Sequence, residues 1–184
     1  MRALVVFESE FGATRALAEA VGRGIAVTST VEVFDSRSGE PETGWTTGLD
    51  LLVVGVPTHA RGLPSPVTRR EALTWPSRPG STLHSEPAAA DAGVREWLQT
   101  ADLAGVATAV FATRVDMPKI LAGSAGPRLA RAVQRARGTV FAGPQDFLVT
   151  RDGALVDHEL DHAYEWGRVL AASLHDLVAA GDDR

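Results

Sequence analysis

The hydrophobic pattern of this chain switches repeatedly between short apolar runs and helical periodicity. Ala3, Leu4, Val5, Val6 and Phe7 form a run without polar alternation, the pattern of a strand covered on both faces. Leu17, Ala20, Val21 and Ile25 then recur at helical spacing, with a short polar turn from Glu8 to Thr14 in between. Thr30 to Asp35 alternates polar and apolar residues, as a strand at a sheet margin does. Ser36 to Gly48, rich in Gly, Ser, Thr, Pro and Glu and carrying Trp45, reads as a loop or a very short helix. Leu49 to Val56 is the most apolar strand and stops at Pro57, which predicts a central strand. Val94, Trp97 and Leu98 mark a short helix over 93–102, and Ala107 to Thr113 a fourth strand. Ser124 is positioned to cap a helix whose inner face carries Leu129, Ala132, Val133 and Ala136. Thr139, Val140 and Phe141 begin a fifth strand, with Asp146 to Val149 as a candidate continuation, and a last helix runs from about Asp157 to Ala180.

Strands alternating with helices predict a parallel sheet covered on both faces. With no repeat or low-complexity tract, the chain reads as a single domain over 1–184. One segment breaks the alternation. Residues 63–92 are polar and Pro-rich, with a helical turn at Arg69 to Leu73 ahead of Trp75, and are longer than a compact connection needs. A lid, a subunit interface or a partly disordered insertion are the three expectations.

Composition narrows the function. A net charge of −5 argues against nucleic acid as the partner, because phosphate neutralisation needs a basic surface. The chain has no cysteine, so thiol chemistry, disulfides and thiolate-ligated metals are excluded, and any redox chemistry must sit on a cofactor. The N-terminal apolar run is too short for a signal-peptide core, and no run is long enough to span a bilayer. No membrane association and a cytoplasmic location are therefore expected.

The turn between the first strand and helix is the first candidate site. Ser9, Gly12 and Thr14 are small or hydroxylated where backbone N–H groups can converge, and a helix N-terminus adds partial positive charge, so the stretch predicts an anion site. Ser9-Glu10-Phe11-Gly12-Ala13-Thr14 resembles the flavodoxin phosphate loop, Thr/Ser-x-Thr-Gly-x-Thr, at its first, fourth and sixth positions. Gly55-Val56-Pro57-Thr58-His59-Ala60-Arg61-Gly62 is similar to the Gly-x-Pro-Thr-His-x-x-Gly stretch of flavodoxin-like proteins and related FMN-dependent quinone reductases.

The resemblance implies an α/β, flavodoxin-like three-layer sandwich with a five-stranded parallel sheet of order 2-1-3-4-5. Flavodoxin is itself the type example of that order, with FMN where the strand order reverses. By the same resemblance, Ser9, Glu10, Phe11, Gly12, Ala13 and Thr14 would hold the FMN phosphate. Pro57, Thr58, His59, Ala60, Arg61 and Gly62 would line one side of the isoalloxazine, and Thr113, Arg114, Val115 and Asp116 the other. It implies an electron carrier served by a redox partner protein, or a small reductase using NAD(P)H and a small acceptor. An oligomer follows by analogy with tetrameric quinone reductases of the fold. The alternative is a flavin-free binding or regulatory module.

Two residues depart from the loop pattern. Phe11 stands where a hydroxyl residue is usual, and Glu10 adds a carboxylate. At ~5 Å and an effective dielectric of ~20, two like unit charges repel by roughly 3 kcal/mol, so Glu10 is expected to point outward into solvent. Trp45 and Trp75 are candidate stacking partners but are expected to cover core edges.

His158-Glu159-Leu160-Asp161-His162 matches the zinc-hydrolase pattern His-Glu-x-x-His. Leu160, Ala163, Gly167, Leu170 and Leu174 are read as the buried stripe of that helix, and at ~100° per residue both histidines then face solvent. A charged helix start is expected there.

Overall fold

Leu51 to Val56 is buried throughout and forms the middle of a parallel sheet. The structure, a computed structural model, describes residues 1–39 and 45–182; the centre of the loop expected over 36–48 lies outside them. Strands β1 (Arg2–Phe7), β2 (Thr30–Asp35), β3 (Leu51–Pro57) and β4 (Ala107–Val115) pair in the order β2-β1-β3-β4. Leu4 is opposite Leu52, and Val54 opposite Val110. The far edge is completed by β5 (Thr139–Val140) and β6 (Gln145–Val149), both parallel to β4. The expected order 2-1-3-4-5 is thus observed, with the fifth strand in two pieces. Pro144 has no N–H for the ladder, and the pairing breaks just before β6.

Alternation along the strands builds two cores. Leu4, Val6, Leu52, Val54, Val56 and Val110 pack beneath α3 (Val94–Thr100) and α5 (Gly126–Arg135), with the one-turn α4 (Lys119–Ala122) between them in the chain. Ala3, Val5, Phe7, Leu51, Val53, Ala109 and Phe111 pack beneath α1 (Ala13–Ile25) and α6 (Glu159–Asp182). The three-layer sandwich follows.

Details of three elements differ from expectation. Helix α5 begins at Gly126 with Ala125 at the cap position; Ser124 lies one residue earlier, where its hydroxyl accepts the Gly126 N–H at 3.1 Å and donates to Asp146. Ala163, Gly167, Leu170 and Leu174 are buried in α6 as expected, but Leu160 is 42% exposed. The first turn of α6 leans on Phe147 through the edge of the His162 ring, 5.1 Å away, and that contact leaves Leu160 at the solvent margin. His158 and His162 are both exposed, each within 4 Å of a neighbouring acid, Asp161 or Glu159, three residues away.

The 63–92 segment runs along the carboxyl ends of the strands. It opens with α2 (Pro66–Ala72), whose Ser65 and Thr68 form a reciprocal capping box, followed by a 3₁₀ turn at Trp75–Ser77. Further on, the Glu86 N–H donates to the Glu10 carbonyl at 2.8 Å. Chain reversal between β1 and β3 leaves a crevice at this end of the sheet, the place where open α/β sheets bind ligands, and the segment forms one wall of it.

Candidate functional site

Helix α1 starts without a side-chain cap, and its first intrahelical bond runs from Ala16 N–H to the Gly12 carbonyl at 3.0 Å. The N–H groups of Ala13, Thr14 and Arg15 thus have no partner within the helix. Gly12 makes this start possible: its φ of 94° is left-handed, and its own N–H turns back to Ser9 Oγ at 3.1 Å. The turn is stitched to the rest of the crevice through Thr14 Oγ1, 3.2 Å from Thr113 Oγ1 at the end of β4. Thr58 N–H donates to the Thr113 carbonyl at 2.9 Å, and Thr58 Oγ1 accepts from Ala125 N–H, so the three loops share one hydrogen-bonded frame.

A cleft opens above that frame. Ser9, Glu10, Phe11, Ala13 and Thr14 line it from the first loop, Pro57, Thr58 and His59 from the second, and Thr113, Arg114 and Val115 from the third. Other expected site residues lie elsewhere. Gly12 shapes the turn without lining the cleft. Ala60 and Arg61 occupy a left-handed turn closed by His59–Gly62 backbone bonds; Arg61 reaches away to the Ile120 carbonyl at 2.7 Å, and Gly62 packs on Arg128. Asp116 is exposed, and its N–H is bound by the Val149 carbonyl.

Residues outside the three expected loops complete the walls. Trp75 stacks on Phe11 with ring centroids 5.8 Å apart and lies 6.2 Å from the His59 ring. Its indole Nε1 is buried without a hydrogen-bond partner among the described residues. Trp75 is thus a cleft wall, whereas Trp45 covers a core edge against Trp97. Leu83, from the 63–92 segment, lines the opposite rim with Val149, Thr150, Arg151 and Gly153 after β6. The aromatic in an otherwise polar segment was the available signal for Trp75; nothing local marks 149–153, which chain topology alone brings here.

The expected outward pose of Glu10 is overturned. Glu10 is only 2% exposed and lines the cleft, with neither carboxylate oxygen hydrogen-bonded among the described residues. His59 Nε2 lies 3.4 Å from Oε2, and His59 Nδ1 is 3.3 Å from Thr68 Oγ1. The reason is the covering segment: its backbone bond from Glu86 to the Glu10 carbonyl and its α2 close the solvent side of the loop.

Behind the loop lies a buried charge network. Glu8, fully buried, accepts from Arg69 Nε at 2.6 Å, Arg69 Nη2 at 3.1 Å and Val94 N–H at 2.9 Å. Burial pushes its carboxyl up to about 7 against the pull of the Arg69 hydrogen bond, and the nearby Glu10 charge adds to the rise. Arg69 also binds Glu96 at 2.9 Å, which ties the 63–92 segment to both β1 and α3. Arg15 and Arg37 share Asp35 and Glu86. Burial would raise Asp35, but the Arg37 hydrogen bonds and the two guanidinium charges outweigh it and hold Asp35 below the ordinary carboxylate range.

No protein-family model matches the sequence, and no curated protein matches it at the sequence level. Solved structures do match in fold. A flavodoxin from the domain Archaea superposes with a TM-score of 0.60 at 17% identity, over 95% of this chain and 99% of that one. Flavodoxin 1 from Bacillus cereus gives 0.60 at 20% identity over 91% and 95% of the two chains. A flavodoxin, WrbA-like protein from Agrobacterium tumefaciens gives 0.56 at 18% identity over 95% and 98%. The chain therefore has the flavodoxin fold. Among the described residues, no helix is long and apolar enough to cross a membrane.

Proposed function

We propose that this chain is a flavin-binding redox protein that seats the flavin ring in the cleft between Trp75 and the Thr113–Val115 loop. The observation that carries the reading is the aromatic and small-residue wall at the strand-order reversal, where Phe11, His59 and Trp75 converge on one side and Thr113 and Val115 on the other. The bound flavin would supply the electron-transfer chemistry, and the protein its orientation and electrostatics. No side chain is assigned as a nucleophile or catalytic acid. The flavodoxins of like fold support the reading without deciding the ligand.

The two ends of FMN fare differently here. The ring end meets apolar and aromatic walls with one unpartnered indole donor, which suits a heterocycle bearing carbonyl acceptors. At the phosphate end, the free N–H groups of α1 and the Ser9 and Thr14 hydroxyls suit an anion, but the buried Glu10 carboxylate does not. The phosphate half of FMN therefore does not fit the loop as it stands. That same carboxylate favours the second reading, a flavin-free binding module.

Purified protein should carry yellow flavin absorption or quench flavin fluorescence on titration at micromolar concentration. Colourless protein that quenches no flavin would leave the flavin-free module. Trp75→Ala should weaken flavin binding by about tenfold, since an aromatic contact contributes about 0.5–1.5 kcal/mol beyond the area it buries. Unchanged affinity in that variant would remove Trp75 from the ring site. NAD(P)H consumption with a quinone acceptor supports a reductase; its absence in flavin-loaded protein points to a carrier fed by a partner protein.

A further inference from the structure

We infer that Glu10 makes this cleft select a flavin whose side chain ends in a hydroxyl over one that ends in a phosphate. The inference rests on the flavin reading above and deepens it.

Three observations carry it. Glu10 is 2% exposed, it lines the cleft, and neither of its oxygens accepts a hydrogen bond among the described residues, with His59 Nε2 3.4 Å from Oε2 and the Glu8 carboxyl beside it. A buried acceptor left unsatisfied is costly, so a ligand group that donates to it is favoured and one that can only accept is not. A phosphate dianion is acceptor-only, whereas a hydroxyl donates to Glu10 and accepts from an N–H at the same time.

The second observation is the state of the neighbouring cations. Arg15 and Arg37 are both engaged by Asp35 and Glu86, and Arg69 by Glu8 and Glu96. These three guanidiniums are already shared among carboxylates, with Arg37 Nη1 alone of the Arg37 nitrogens buried without a hydrogen-bond partner among the described residues. Arg114 and Arg151 also line the cleft, but they belong to the loops after β4 and β6, and Arg114 is held by Asp146 at 3.3 Å.

The third is the helix start itself. With Ala13, Thr14 and Arg15 N–H groups outside the intrahelical ladder, the loop still presents donors. Backbone donors and an acceptor carboxylate lining one cleft suit a hydroxyl, which can both donate and accept. A dianion there gains the N–H bonds and meets the carboxylate at short range, where burial leaves the repulsion poorly screened.

Riboflavin and FMN share the ring and the ribityl chain and differ only at this end, so they test the selection directly. Fluorescence-quenching titrations of the full chain should give a riboflavin Kd at least tenfold below that of FMN at low salt, with the gap narrowing as salt is raised. Glu10→Gln, which keeps the shape and removes the charge, should tighten FMN at least tenfold while riboflavin changes less than threefold. Glu10→Met should do the same to FMN, and circular dichroism of both variants checks that they are folded. FMN bound as tightly as riboflavin by the wild type, or an FMN affinity unmoved in both folded variants, overturns the selection while leaving flavin binding intact. Quenching by neither flavin in the wild type removes the flavin reading and the inference together.

Discussion

Glu8→Gln will abolish a loss of stability of about 3 kcal/mol that the wild-type chain undergoes between pH 4.5 and about pH 7. Glu8 has an ordinary carboxyl value of 4.5 when the chain is unfolded and about 7 when folded, because burial disfavours its charge more than Arg69 restores it. The folded state therefore holds a proton that the unfolded state releases across this window. Stability contributed by that proton is complete below pH 4.5, falls as pH rises, and is gone above about pH 7; a rise of this size corresponds to about 3 kcal/mol. Asp35 and Glu96, both held below their ordinary values, act on the acid side of the window and leave it clean. Denaturant unfolding of wild type and Glu8→Gln at half-unit pH steps reads the difference directly. An identical pH slope in the two proteins would show that Glu8 is not the group responsible. In Arg69→Met the same carboxyl loses its partner, so the decline should extend above pH 7, with a destabilisation at pH 8 of about 3–5 kcal/mol, as expected for a buried charge left alone.

Gly167→Val should cost a further large increment, about 3 kcal/mol, by forcing α6 away from α1. The two helices cross with backbone against backbone: a Cβ on Gly167 would meet the Val21 carbonyl, and one on Gly24 the Tyr164 carbonyl. Rotamer changes cannot relieve a clash whose obstacle is main chain, so the cost sits at or above the upper end of ordinary overpacking. It also outweighs the gain of about 1 kcal/mol or less in helix propensity that leaving glycine brings. Ala172→Val, on the exposed face of the same helix, should change stability by no more than about 0.5 kcal/mol. Wild-type stability in Gly167→Val would mean that the helices are not packed this closely.

Both predictions depend on contacts between segments far apart in the chain, and there the sequence was least legible. The strands were legible because burial on both faces leaves a run such as Leu51–Val56 nothing polar to display, and the edge strand Thr30–Asp35 because one side of it does. The first candidate loop was legible in Ser9, Gly12 and Thr14, since a tight turn before a helix demands those residue types. The second was legible only as far as His59, because Ala60 and Arg61 turn back on themselves in left-handed conformations. The interruption by Pro144 shows as a break in the ladder only once β4 is its neighbour.

Glu10 points opposite to the expectation from its local sequence. Local electrostatics favours an outward carboxylate when water is available on the outer side of the loop. The 63–92 segment removes that water by folding back over the loop, held by Arg69 on Glu8 and by Glu86 on Arg15 and Arg37. Those pairs join positions as far apart as 71 and 61 residues in sequence. Alone, then, the amino-acid pattern determined the α/β class and the placing of a small-residue turn at a helix start, which depend on periodicity and local backbone sterics, while the strand order came from the resemblance of the two loops to flavodoxin. Only the tertiary structure decided that Trp75 walls the cleft, that burial raises the Glu8 carboxyl and that Glu10 faces inward, because each depends on which distant segment excludes water from a polar group.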